Sequence, residues 1–180
     1  MERLPERILA LDVSSVAVGF AAGGNYKIQT AGFYGLGEKN ALEDRLQILR
    51  EVVVDLVVKN TPALVIIEAP VSNHRSSMST IRALFGAAGV ALEAVRSCGV
   101  RGAIMVQPDW WQQQLFPKKL RPAEWKTWKS DKRRMALKNE FYNLVIARYP
   151  HLEVLIGASR DASDAAGMLL SFLEKGHELM

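Results

Sequence analysis

Two short runs constrain this chain more than anything else in it. Ala63 to Glu68 reads ALVIIE, nearly continuous and β-branched, and Arg7 to Val13 reads RILALDV, apolar and bounded by charge. Runs of this length without alternation are expected of strands covered on both faces, as in the parallel centre of an α/β sheet. Each run carries a carboxylate at or beside its end, Glu68 in one and Asp12 in the other. An isolated buried carboxylate is costly, so each must be solvated, paired or bound to metal.

The segments around these runs complete a simple order. After a turn at Ser14 and Ser15, Val16 to Ala22 reads as a second strand. Gly23-Gly24-Asn25 is a hairpin signal, and Tyr26 to Tyr34 makes a third strand. From about Glu38 to Lys59, Leu42, Leu46, Leu49, Val53 and Leu56 recur at helical spacing, and Thr61-Pro62 stops that helix. A polar loop from Pro70 to Ser79 follows the ALVIIE strand. Ile81, Leu84, Phe85, Ala88, Leu92 and Val95 then mark one face of a helix ending near Gly99. Ala103 to Val106 reads as a fifth strand, and Pro108 starts a short helix through Trp110 and Trp111, both expected to pack on the core. The chain is expected to be loop up to about Ser130, helix to Arg148, loop around Gly157, and helix from Asp161 to Leu173. The prediction is one α/β domain over residues 1–180, with a five-stranded mixed sheet flanked by helices: three antiparallel strands, then two parallel ones.

If the Asp12 and Glu68 strands are parallel neighbours, both acids emerge at the carboxyl edge of the sheet, where open α/β sheets tend to carry their sites. Asp161 and Asp164 are three apart and project from nearly one face of a helix. An N-cap and a favourable helix-end charge would also account for that pair. Small neighbours (Ala162, Ser163, Ala165, Ala166 and Gly167) would let this helix approach the sheet closely and deliver its acids to the strand pair. Four carboxylates at one edge suit a hard cation such as magnesium, and two such ions can support phosphodiester hydrolysis.

Charge narrows the partner. The chain carries a net +4, yet Pro117 to Lys138 alone holds nine cations against Glu124 and Asp131, a local +7 that leaves −3 for the rest. Such a block suggests a polyanion-binding surface, although a solvated helix face looks the same in sequence. Lys118, Lys119, Arg121, Lys126, Lys129, Arg133 and Arg134 are its candidate DNA contacts, with Arg75 from the polar loop. Trp125 and Trp128 lie among these cations as candidates for base stacking or core packing. His74, His151 and His177 have no metal-ligand spacing. His74 is near enough to Glu68 to be weighed as a substrate contact; surface placement is the plainer reading for all three. Ser14 and Ser15 lack a histidine partner and read as turn residues. The single cysteine, Cys98, supports neither an internal disulfide nor a cysteine zinc site. The charged start MERLPER is unlike a secretory signal, and no run is expected to approach the roughly 18 apolar residues of a membrane span. An intracellular protein, not secreted and without membrane contact, is expected.

At these residues the chain resembles the RuvC-type Holliday junction resolvases of the RNase H-like superfamily. The matching pieces are ILALDVSS with Asp12, VIIEAP with Glu68 and DASDAAGM with Asp161 and Asp164, in order and in register from about Arg7 to Leu173. The resemblance implies an RNase H-like fold and symmetric cutting of four-way junctions with two magnesium or manganese ions and a water nucleophile. It also implies a homodimer joined through the Ala/Gly-rich helix from Ile81 to Cys98, and a cytoplasmic setting. A lysine near the active site is implied as well, with Lys132 in SDKRR as the match and Lys129 and Arg133 as alternates. Two departures point to a divergent, phage-like member. The segment from Phe116 to Ser130 is longer than usual, and Asn73-His74-Arg75 stands where some members carry a junction-opening aromatic ring. Readings that stay open are a nuclease for flaps or forks and a non-catalytic DNA-binding protein. An actin-like ATPase is disfavoured because that group clamps nucleotide between two such domains.

Overall fold

The computed structural model describes residues 6–72, 76–117, 121–157 and 159–175, without the side chains of Lys126, Ser130, Asp131, Arg134 and Arg160. Its strands are β1 (Ile8–Val13), β2 (Ala17–Gly24), β3 (Lys27–Gly35), β4 (Leu64–Glu68) and β5 (Gly102–Val106). They form one sheet in the order β3-β2-β1-β4-β5. β1 and β3 pair antiparallel with β2, whereas β4 pairs parallel with both β1 and β5. The expected mixed five-stranded sheet is therefore the observed one.

Both faces of the sheet are covered. One face, with Leu9, Leu11, Val13, Val65 and Ile67, packs against α1 (Leu42–Asn60) and α2 (Met78–Ser97). The other, with Ile8, Ala10, Leu64 and Ile66, packs against α3 (Pro108–Leu115), α4 (Ser130–Arg148) and α6 (Arg160–Lys175). This double burial is why β1 and β4 read as unbroken apolar runs. A short helix, α5 (Glu153–Gly157), follows a single 3-10 turn at Pro150–Leu152 and occupies the stretch expected as loop around Gly157. A second 3-10 turn, Ala123–Thr127, interrupts the basic stretch, for which the sequence also predicts loop.

Local signals explain the element ends. The hairpin tip is Asn25-Tyr26, both at positive φ (49° and 62°), one step beyond the expected Gly23-Gly24-Asn25. The two glycines serve the strand instead, because a Cβ at Gly24 would meet the Glu6 carbonyl oxygen at 1.6 Å and one at Gly23 the Lys27 carbonyl oxygen at 2.1 Å. α1 ends where Thr61 turns left-handed, just before Pro62, as expected. α2 starts earlier than the sequence pattern indicates, because the Ser77 side chain caps it by accepting from the Thr80 N–H at 3.1 Å.

α2 also corrects the expectation about membrane-length runs: by length and composition alone it is apolar enough to cross a bilayer. In the fold, Ala87, Ala88, Ala91, Ala94 and Val95 are buried against the sheet and α1. Met78 and Phe85 stay 66% and 51% exposed, so part of its apolar surface is uncovered in the single chain.

Candidate active site

Strand alternation decides where the first two acids point. On β1, Ile8 and Ala10 face the α6 side, and Asp12 is the next residue of that set; on β4, Leu64 and Ile66 do the same and Glu68 follows. The strands run parallel in register up to Leu11 opposite Ile67, so Asp12 and Glu68 leave adjacent strands at the same carboxyl edge. The acids thus share an edge and a face.

α6 brings the other two. Gly19, which sits opposite Asp12 on β2, has no side chain, and a Cβ there would lie 2.1 Å from the Asp161 carbonyl oxygen. The helix answers with Ala162, Ala165 and Ala166, all fully buried. Small residues on both partners therefore let the first turn of α6 rest on β2 beside Asp12. Carboxylate oxygens of Asp12, Asp161 and Asp164 come within 4.8 Å of one another. Asp164 is buried and Asp161 remains partly exposed.

Among the described residues, the cation paired with this cluster is Lys138 of α4. Its ammonium pairs with Asp164 and lies 3.9 Å from Asp161. Lys132, the lysine expected from the resemblance, is placed elsewhere, with its ammonium 4.0 Å from the centre of the Trp128 ring. The reason is helical phase. Phe141 and Val145 fix the buried stripe of α4; Lys138 lies about 60° around the helix from Phe141, whereas Lys132 lies about 180° away.

Electrostatics make the cluster hungry for a cation. Burial, with the charges of Glu68, Asp164 and Asp161 adding to it, raises the Asp12 carboxyl well above the usual range. Burial and then the Asp164 charge push Glu68 up to about 7, offset in part by Asp12, Lys138 and Trp111. The protein alone therefore keeps Asp12 and Glu68 ionised only with difficulty, even with Lys138 nearby. The donors are all carboxylate oxygens, which fits magnesium or manganese and is unsuited to a soft metal. Asp12, Glu68, Asp161 and Asp164 are the residues that could hold such ions.

The acids line a cavity of about 670 Å³ together with Lys138, Arg121, Arg133, Trp125 and Asp109. Of the anticipated DNA contacts, Arg121 and Arg133 therefore reach the site, and Lys129 is exposed just before α4. Lys118, Lys119, Arg75, His74 and His177 lie outside the described residues, as do the side chains of Lys126 and Arg134. His151 is exposed and meets Tyr149 edge-on. Trp111 is fully buried against Phe141, and Trp110 packs partly buried on the same core, as expected.

Sequence reasoning passed over Lys138 as a site residue, although the Phe141–Val145 stripe carries the phase that selects it. It also passed over Asp109, which follows β5 at the edge already marked by Asp12 and Glu68.

At the level of sequence, no family profile and no curated protein matches the chain. Solved structures do. Thermus thermophilus RuvC in complex with a Holliday junction substrate superimposes with a TM-score of 0.71 at 15% identity, covering 97% of this chain and 96% of that one. A second structure of Thermus thermophilus RuvC gives 0.60 at 14% identity, covering 94% and 96%. The yeast mitochondrial Holliday junction resolvase Ydc2 gives 0.56 at 11% identity, covering 98% of this chain and 83% of that one. The chain has the RuvC-like, RNase H-like fold over nearly its whole length.

Proposed function

We propose that this protein is a metal-dependent endonuclease that cuts branched DNA, with the four-way junction as its preferred substrate. The observation that carries the reading is the convergence of Asp12, Asp161 and Asp164 within 4.8 Å, beside Glu68 at the carboxyl edge of the sheet. Support comes from the fold, shared with a RuvC structure bound to a Holliday junction.

Asp12, Asp161 and Asp164, with Glu68 beside them, would hold two magnesium or manganese ions. Bound there, the ions supply an activated water and stabilise charge on the attacking and leaving oxygens of a phosphodiester. The chain's own residues do the rest. Lys138 holds Asp164 in place and presents a positive charge where the phosphate must arrive. Arg121 and Arg133, on the cavity wall, grip the strand through its phosphates. The uncovered apolar face of α2, around Met78 and Phe85, is the candidate surface for a homodimer that places two sites on opposed strands.

A substrate panel tests the reading. With magnesium, the protein is expected to cut a synthetic four-way junction faster than a replication fork or flap, and a linear duplex least of all. Equal rates on all of them would contradict a dedicated junction resolvase and leave only a general nuclease.

A further inference from the structure

A row of aromatic rings carrying cations meets the cavity at Trp125. Trp125 lines the cavity, with ring centroids 5.6 Å from Trp128 and 6.0 Å from Phe116. The Arg121 guanidinium lies over the Trp125 ring at 5.3 Å, and the Lys132 ammonium over Trp128 at 4.0 Å. Phe116 is buried and roots the row in the core, whereas Trp125 and Trp128 stay partly exposed. Trp128 is not part of either core cluster. Burial therefore accounts for Phe116 and in part for Trp125, but it leaves Trp128 and the two cations unexplained.

Indole faces accompanied by arginine and lysine are suited to a single nucleic-acid strand: bases stack on the rings and cations track the phosphates. The base must be unpaired, because a base inside a duplex has both faces covered. Arg133 lines the same cavity as the four acids, so the positive surface continues from the row to the carboxylates. We propose that Trp125 and Trp128 form a subsite for an unstacked base of the strand whose phosphate reaches the acids, with Arg121 and Lys132 holding the neighbouring phosphates. This rests on the nuclease reading and adds a selection step to it. The site engages a strand where a base is already free to leave its stack, as at the centre of a branched molecule.

The test compares binding of a labelled thymidine oligomer with that of an abasic oligomer of the same length and phosphate count. Stacking predicts that the wild-type protein binds the thymidine strand at least about fivefold more tightly. The preference should shrink to less than about twofold in Trp128→Leu and survive in Trp128→Phe, which keeps a ring. Equal wild-type affinity for the two strands overturns the proposal and needs no variant to be folded. So does an undiminished preference in a Trp128→Leu protein whose circular dichroism matches wild type. Junction cleavage by the wild-type protein is measured alongside. Its absence would remove the nuclease reading while leaving the base-against-abasic comparison readable.

Discussion

Lys138 and Lys132 stand six residues apart on α4, and their neighbours give them different work. Lys138 is partly buried beside Asp164 and Asp161, whereas Lys132 is exposed and lies over the Trp128 indole. Lys138→Ala is therefore expected to slow junction cutting by about 100-fold, the scale seen when one fixed donor to a developing charge is lost. Lys132→Ala should weaken DNA binding while leaving the rate of the bound complex within a few fold. Single-turnover cleavage at saturating protein separates the two; equal rate losses in both variants would contradict this assignment.

Protons at the acids give a second expectation for single residues. Burial and the Asp164 charge hold Glu68 at about 7, above the 4.5 of an ordinary glutamate. Without metal, the folded protein therefore keeps a proton that the unfolded chain releases. The associated stability is present in full below about pH 4.5 and is lost as pH rises through about 7. Asp12, raised in the same direction, adds to the effect. The melting temperature of the metal-free protein should accordingly fall across that window. Glu68→Gln, which has no proton to lose, should fall less, and added magnesium should recover stability at the upper end. A wild-type profile no steeper than that of Glu68→Gln would contradict a raised Glu68 as the cause.

Among the elements, the seating of α6 on β2 assembles the site, and it depends on Gly19. Adding one methyl there places carbon 2.1 Å from the Asp161 carbonyl oxygen, with backbone rather than a flexible side chain in the way. Gly19→Ala should cost about 1–3 kcal/mol through overpacking, a melting-temperature drop of several degrees, and should weaken metal binding as Asp161 is pushed away from Asp12. Gly35→Ala, in the same sheet with nothing within 4 Å of the added carbon, serves as the control and should change stability far less. Most elements are legible in the sequence, because unbroken apolar runs and helical spacing are local properties. The hairpin tip falls one step beyond its sequence signal because Gly23 and Gly24 look like turn residues but are needed for close strand packing. Asp12 and Glu68 are legible for a related reason: a carboxylate closing a buried strand stands out against its own neighbours. Choosing among nine cations between Pro117 and Lys138 requires knowing which face of α4 turns inward, and that depends on its packing against α6.

For the whole molecule, paired cutting requires two sites that act together on one DNA. The exposed apolar residues of α2, Phe85 and Met78 among them, are the surface proposed to bring two copies together. Sedimentation should find a dimer, and Phe85→Arg should yield monomers that nick junctions without paired cuts; a wild-type monomer that still cuts in pairs would rule out this arrangement. Above all, the four acids are proposed to form a metal site for phosphodiester cleavage. Its most direct test is cutting of a synthetic four-way junction by wild type and Asp12→Asn, with and without magnesium. Wild type should cut only with the metal, while Asp12→Asn should bind the junction within a few fold of wild type and fail to cut. Cleavage by wild type without divalent metal, or substantial cleavage by Asp12→Asn, would contradict the claim.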